Sequence, residues 1–300
     1  MINNKLICIT GASGFVATNL QNYLKTSHAV IPISIRYKPN QILDIHGDVV
    51  IHLAGKAHDL KKVANPQEYY EANFELTKQL FDAFLVSKAS VFIFMSTVKA
   101  VADEVKGILT EEAVPNPKTH YGISKLQAEN YILNQKLPEG KRIYILRPCM
   151  IHGPGNKGNL NLLFKLVSKN IPWPLGDFEN KRSFCSIDNL VFVIKELIER
   201  EDIPSGIYNI ADDEPLSTNE LISLIAQSQN RKPNVWKVPK GFIERLAKLG
   251  NVLHLPLNIE RLQKLTDSYI ISNNKIINAI GKPLPVSTKD GLLKTFKSFK

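Results

Sequence analysis

The apolar positions of the chain fall into short, dense runs, separated by longer stretches in which apolar residues return every three or four positions. KLICIT (5–10), AVIPISI (29–35), DVVIHLAG (48–55), SVFIFMST (90–97) and RIYILRP (142–148) have strand length and are rich in Val, Ile and Phe. Between them, GASGFVATNLQNYLKT (11–26), YYEANFELTKQLFDAFLVS (69–87) and YGISKLQAENYILNQ (121–135) carry helical spacing. Strands that alternate with helices predict an α/β fold, a parallel sheet covered on both faces. After Pro148 the alternation breaks: HGPGNKGNLN (152–161) and IPWPLG (171–176) are rich in turn residues. It returns with NLVFVIKELIE (189–199) and GIYNIA (206–211), and the remainder reads as mainly helical. The expected organisation is a sheet domain over 1–149, joined by about 186–211. A smaller, mainly helical part takes 150–185 and 212–300.

Composition narrows the class without changing that picture. Three hundred residues with 44% hydrophobic content can bury a large core. No run approaches the roughly 20 apolar residues of a membrane span, and MINNKLICITGASGFVA lacks a signal peptide's apolar stretch and cleavage site. The expected compartment is the cytoplasm. Cys8, Cys149 and Cys185 are odd in number and scattered, which predicts three reduced thiols and neither a disulfide framework nor a metal site. Lys plus Arg total 38 against 28 Asp plus Glu, a net charge of +10, so an anionic partner is expected. The lysines are dispersed, with no basic block, zinc-finger spacing or recognition helix. A phosphate-bearing small molecule therefore ranks above nucleic acid.

Candidate chemistry begins at the first turn. Gly11, Gly14 and Ala17 stand between a strand and a helix, where small residues let the backbone approach a pyrophosphate at the helix N-terminus. Further along, Tyr121 and Lys125 are four residues apart, on one face of a helix. Spacing alone leaves that pair as ordinary helix neighbours. The ordered set TGASGFVA, HLAG, FMST, YGISK and LRPCMIHGPG, however, resembles the extended short-chain dehydrogenase/reductases, the NAD(P)-dependent sugar-nucleotide epimerase, dehydratase and reductase group. The likeness runs over nearly the whole chain, and IPWPLGDFENKRSFCSIDNLV (171–191) also resembles the reductases and epimerases that build bacterial surface polysaccharides, without separating those two activities.

The resemblance implies a Rossmann-like cofactor domain and a role for each matching residue. Tyr121 becomes the general acid/base and Lys125 the ammonium that favours its phenolate and holds the nicotinamide ribose. Thr97 hydrogen-bonds the substrate oxygen; Ser96 takes its place if the register slips by one, and strand-end capping is the structural alternative for either hydroxyl. Cofactor contacts are expected from Gly11, Ser13, Gly14, Phe15, Val16, Arg36, Leu53, Ala54, Gly55, Ser96, Tyr121, Lys125, Pro148 and Met150. Family 4,6-dehydratases look like Thr-Asp-Glu after the strand. Here Thr97 is followed by Val98 and Lys99, which argues against dehydration; the usual Val-Tyr-Gly ending is replaced by Ala100, Val101 and Ala102. Lys99, two residues past a strand end, is expected to be solvated.

Cofactor choice rests on the end of the second strand. NAD-preferring relatives place an acid there, whereas this chain has Ser34 and Arg36. An arginine pairs with a ribose phosphate, so NADP(H) is favoured over NAD(H). Only YKPNQILDIHG (37–47) follows, too short for the usual helix and strand, so an abbreviated adenine pocket is expected. On the substrate side, Asn159 and Arg182 match residues that contact the nucleotide diphosphate, and Arg261 is a weaker candidate. Asn73 resembles a structural asparagine, while His120 and His152 read as loop histidines with ordinary hydrogen bonds. The expected activity is NADPH-dependent reduction of the C4 ketone of a nucleotide-linked, UDP-type 4-keto-6-deoxy sugar. The alternative is an NAD-dependent UDP-hexose 4-epimerase. Tyr121, Lys125 and Thr97 together count against a non-enzymatic NADP sensor. Relatives often pair through a four-helix bundle, to which residues 69–87 would contribute in a homodimer.

Overall fold

The computed structural model describes residues 4–57, 65–253 and 258–299. Its first half runs β1 (Leu6–Thr10), α1 (Phe15–Leu24), β2 (Ala29–Ile33), β3 (Val49–His52), α2 (Gln67–Tyr70), a π-helical turn (Glu71–Glu75) and α3 (Leu76–Val86). Then come β4 (Val91–Met95), a short 3-10 turn (Val98–Ala100), β5 (Ile108–Leu109), α4 (His120–Asn134) and β6 (Arg142–Pro148). The second half adds β7 (Met150–His152), α5 (Asn159–Ser168), β8 (Phe184–Ser186), α6 (Ile187–Glu199), β9 (Gly206–Ile210) and α7 (Thr218–Ser228). It closes with α8 (Lys240–Leu253), α9 (Ile259–Thr266), β10 (Ile270–Ile271), α10 (Asn274–Ile280) and α11 (Thr288–Lys297).

The main sheet has the order β2-β1-β3-β4-β6-β9, with every pairing parallel. All side chains of β3 and β4 are buried, as strands covered on both faces require. β2 is an edge strand, where Pro32 is tolerated because a missing N–H can face away from the ladder. One face packs Ile7, Ile9, Ile51 and Ile93 against Leu20 and Leu24 of α1, Leu190 and Ile194 of α6, and Ile276 and Ile280 of α10. The other packs Cys8, Val50, Phe92 and Ile145 against Phe81 and Phe84 of α3 and Ala128 and Ile132 of α4. A separate core forms around Trp173, Phe184, Leu221, Ile225 and Phe296 from the second half of the chain.

This topology sets the place for a ligand. From β1 the chain steps outward to β2 and then back across to β3, so the order reverses at β1 and β3, and a crevice opens at their carboxyl ends. Residues 34–48 hold no helix or strand, in line with the short spacer in the sequence. The helical pattern of 69–87 is interrupted by the π-turn that holds the buried Asn73, an irregularity often found at functional sites.

Candidate active site

The β1–α1 turn has the geometry of an anion cradle. Gly11 lies at φ 67°, a left-handed conformation that glycine adopts freely, and a Cβ there would sit 2.7 Å from Ala54 N. The β3 loop thus runs directly against the turn. Gly14 N donates to Gly11 O at 2.9 Å, and Gly14 caps α1 with no side chain of its own. The first turn of α1 carries no acidic residue, so its amides present an uncompensated positive end. Glycine sterics and free amides fit a dinucleotide pyrophosphate.

The Tyr121–Lys125 couple is assembled at the end of β4. Thr119 caps α4, its hydroxyl accepting from Gly122 N at 3.2 Å, so the helix begins just before Tyr121. Gly122 permits a close seat: a Cβ there would lie 2.3 Å from Lys99 O. That contact holds the first turn of α4 beside the residues following β4, with the Tyr121 phenol next to the Thr97 hydroxyl. Thr97 Oγ1 also accepts from Lys99 N at 3.2 Å, so this hydroxyl caps the turn after β4 while lying next to Tyr121. One turn on, Lys125 is buried, its Nζ donating to Met95 O at 2.8 Å and lying 4.7 Å from the Phe94 ring centroid. Gly55 completes the group, since a Cβ on it would come within 3.1 Å of Lys125 Nζ and 2.8 Å of Asn73 Oδ1.

The electrostatics correct one expectation. The sequence suggested a phenol lowered by the adjacent ammonium, yet burial pushes Tyr121 above its ordinary value, with the neighbouring Thr97 hydroxyl offsetting only part of the rise. The Lys125 ammonium is engaged with Met95 O rather than with the phenol. Burial also lowers Lys125 itself to about 8, against a partial offset from Glu129. At neutral pH the couple is therefore a protonated phenol beside an ammonium.

A buried relay lies behind this group. Thr77 Oγ1 donates to Asn73 O at 2.7 Å, so at 3.0 Å it accepts from His52 Nε2–H. His52 Nδ1 then accepts from Thr10 Oγ1 at 2.7 Å, and Thr10 Oγ1 accepts from Ala54 N at 3.2 Å. The chain of partners fixes the neutral Nε2–H tautomer, and burial lowers His52 to about 3, holding it uncharged. Asn73 continues the relay, bonding Lys56 N, Lys56 O and Ser124 Oγ at 2.8, 3.0 and 3.0 Å. These bonds tie the glycine cradle to the helix that bears Lys125.

Comparison with known proteins now decides the family. The model of the NAD dependent epimerase/dehydratase family matches residues 7–211, the span holding the cradle and the Tyr121–Lys125 couple. The chain belongs to this family. It is similar to a UDP-glucose 4-epimerase of Vibrio cholerae, 31% identical over 98% of this chain and 95% of the relative. A GDP-6-deoxy-D-mannose reductase of Pseudomonas aeruginosa is 28% identical over 73% of this chain and 78% of its own length. Among solved structures, RMD from Pseudomonas aeruginosa complexed with NADPH covers 98% of both chains at a TM-score of 0.73 and 22% identity, a likeness of fold.

Within this epimerase/dehydratase chain, the other expected residues are distributed as follows. Ser13 is exposed in the cradle, Phe15 and Val16 open α1, and Leu53, Ala54 and Gly55 follow β3. Pro148 ends β6 and Met150 begins β7, while Arg36 is exposed in the coil beyond β2. Ser96 Oγ donates to the buried Glu129, whereas Thr97 is the hydroxyl next to Tyr121. Asn159 is exposed at the start of α5; Arg182 Nε donates to Asp267 O at 3.0 Å, just beyond α9; and Arg261 N donates to the α9 cap Asn258 at 2.9 Å. Those three lie on separate elements of the second half.

Two side chains differ from their sequence reading. Lys99 is not simply solvated: its Nζ donates to Asp103 O at 2.7 Å and lies 4.6 Å from the Tyr269 ring centroid. His152 is not in a loop but fully buried in β7, 2.9 Å from Thr295 Oγ1 and 3.4 Å from Asp212 Oδ2. His120 is exposed, 3.0 Å from the Tyr70 hydroxyl. Glu129 and Arg147 escaped the sequence reading, although a glutamate one turn past Lys125 and an arginine inside an apolar strand were visible signals. Among the described residues no helix is long and apolar enough to cross a membrane, and no group of three His, Cys, Asp or Glu could hold a metal ion.

Proposed function

We propose that this chain reduces the C4 ketone of a nucleotide-linked, UDP-type 4-keto-6-deoxy sugar with NADPH, for surface polysaccharide synthesis. The observation that carries the reading is the Thr97–Tyr121–Lys125 group with its phenol held protonated. A phenol protonated at neutral pH can donate to a sugar oxygen, as a reductive step needs. NADPH, when bound, supplies the hydride. Gly11, Gly14 and the first turn of α1 hold the pyrophosphate, Lys125 the nicotinamide ribose and Arg36 the ribose phosphate. Thr97 and Tyr121 share the sugar oxygen, and the Tyr121 proton passes to it as the alcohol forms. Dehydration is disfavoured, since Val98 is buried and apolar and Lys99 is turned to Asp103.

In this reading 1–149 with about 186–211 bind the cofactor, while 150–185 and 212–300 bind the sugar nucleotide through Asn159, Arg182 and Arg261. The P. aeruginosa reductase and the NADPH complex support the reductive branch. The V. cholerae relative supports the second reading, an NAD-dependent UDP-hexose 4-epimerase. Cofactor preference tests the choice. Isothermal titration should find NADPH tighter than NADH, and Arg36→Ala should shrink the gap. A charge-assisted phosphate contact is worth about 1.5–3 kcal/mol, an order of ten- to hundredfold in affinity. Equal affinity for the two cofactors in the parent protein would sink the NADPH assignment.

A further inference from the structure

A second set of charges lies beneath Lys125, on the sheet face that α4 covers. Glu129 follows Lys125 by one helical turn and is fully buried, and Arg147 of β6 is 2% exposed. Arg147 grips both carboxylate oxygens, with Nε 3.0 Å from Oε1 and 3.2 Å from Oε2 and Nη2 also donating to Oε2. Ser96 Oγ donates to Oε1 of the same carboxylate. Ser96 stands between Met95, whose carbonyl receives the Lys125 ammonium, and Thr97, whose hydroxyl lies next to the Tyr121 phenol. One buried carboxylate thereby ties together α4, the end of β4 and β6.

Stability alone does not account for the pair. A buried ion pair is commonly matched or bettered by apolar residues of similar volume, because both charges must be desolvated. Among the described residues, neither Arg147 Nη1 nor Oδ1 of its cross-strand neighbour Asn209, both buried, meets a protein hydrogen-bond partner. Such loose ends are costly in a core. What the pair does specify is geometry at the site.

We propose that Glu129 and Arg147 form a positioning unit for the Tyr121–Lys125 couple: they lock the Ser96–Thr97 strand end to α4 and set the charge beneath the Lys125 ammonium. The groups facing Lys125 are Glu129 and Tyr121 on its own helix, His52 from β3 and, through Glu129, Arg147 from β6. His52 is neutral and Tyr121 protonated at neutral pH, so Glu129 is the one counter-charge among them. The unit's value depends on the role proposed for Lys125, but its electrostatic half can be read with no ligand at all.

The test is a 13C-lysine NMR titration of the ligand-free protein, with the Lys125 signal assigned by its loss in Lys125→Met. The parent lysine should titrate near 8. Glu129→Gln/Arg147→Met removes both charges yet keeps an acceptor for Ser96, and should move the titration down by about one unit, the size one nearby charge produces. Arg147→Met alone leaves Lys125 as the nearest cation to Glu129 and should move it up. Opposite shifts are a result that a merely structural role would not give. NADPH affinity should follow: a one-unit fall cuts the ammonium fraction at pH 8 from about one half to about one tenth, so binding there weakens about fivefold. An unmoved titration in either folded variant would overturn the unit. A titration that shifts as expected while NADPH affinity stays constant would instead spare the unit's electrostatics and refute the ribose role of Lys125.

Discussion

Tyr121→Phe is expected to lower kcat by about 10²–10⁴-fold, the usual contribution of a positioned general acid, while NADPH affinity remains close to that of the parent. The phenol touches the Thr97 side chain, and burial keeps its proton in place at working pH. Phenylalanine fills the same space beside Tyr69, whose ring centroid is 6.4 Å away, so packing is retained and only the donor is lost. Stopped-flow measurement of NADPH oxidation gives kcat, and cofactor fluorescence gives affinity. A variant that kept full turnover would return Tyr121 and Lys125 to the status of helix neighbours.

Lys125→Met should weaken NADPH binding by about ten- to hundredfold, the loss expected for charge-assisted hydrogen bonds, and lower turnover as well. Folding should not suffer. Lys125 is lowered from 10.5 to about 8, which means that the unfolded chain holds this proton more tightly. The buried ammonium therefore costs stability at neutral pH, a cost relieved only as the pH rises from about 8 through 10.5. Methionine removes the charge and places an unbranched apolar side chain beside the Phe94 ring, over which the ammonium now lies. The expected combination is a melting temperature at or above the parent's together with poor cofactor binding. A fall in both would mean that the lysine is structural. In the parent, NADPH affinity should itself decline above pH 8 as the ammonium is lost.

Much of this arrangement could be read from the chain before folding. Buried parallel strands appear as unbroken apolar runs, so VVIH, VFIFM and RIYILRP were legible, as was the missing helix between β2 and β3. The glycine cradle was legible too, because Gly11 and Gly14 mark backbone geometry that few other residues permit. What was hidden depends on which face a polar residue takes after folding. His152 has a loop-like sequence context of Gly and Pro, yet it is buried because Asp212 and Thr295, distant in sequence, supply its partners. The direction of the Tyr121 shift was hidden for a similar reason. Spacing shows that an ammonium is near, but burial and the capture of that ammonium by Met95 O arise only in the folded chain.

The most direct measurement follows NADPH absorbance while the purified protein meets a UDP-linked 2-acetamido-2,6-dideoxy-4-keto-hexose, with the sugar product analysed by NMR. Thr97 follows β4, Tyr121 and Lys125 are carried on α4, and Lys125 reaches back to Met95 O, so the proposed proton donor and ribose site are fixed to the same rigid elements. The account predicts one NADPH consumed per sugar, a single C4 alcohol as product, and protein that purifies without tightly held NAD. Protein that purifies with NAD bound, interconverts two UDP-hexoses and oxidises no NADPH on any keto sugar would contradict it and decide for the epimerase.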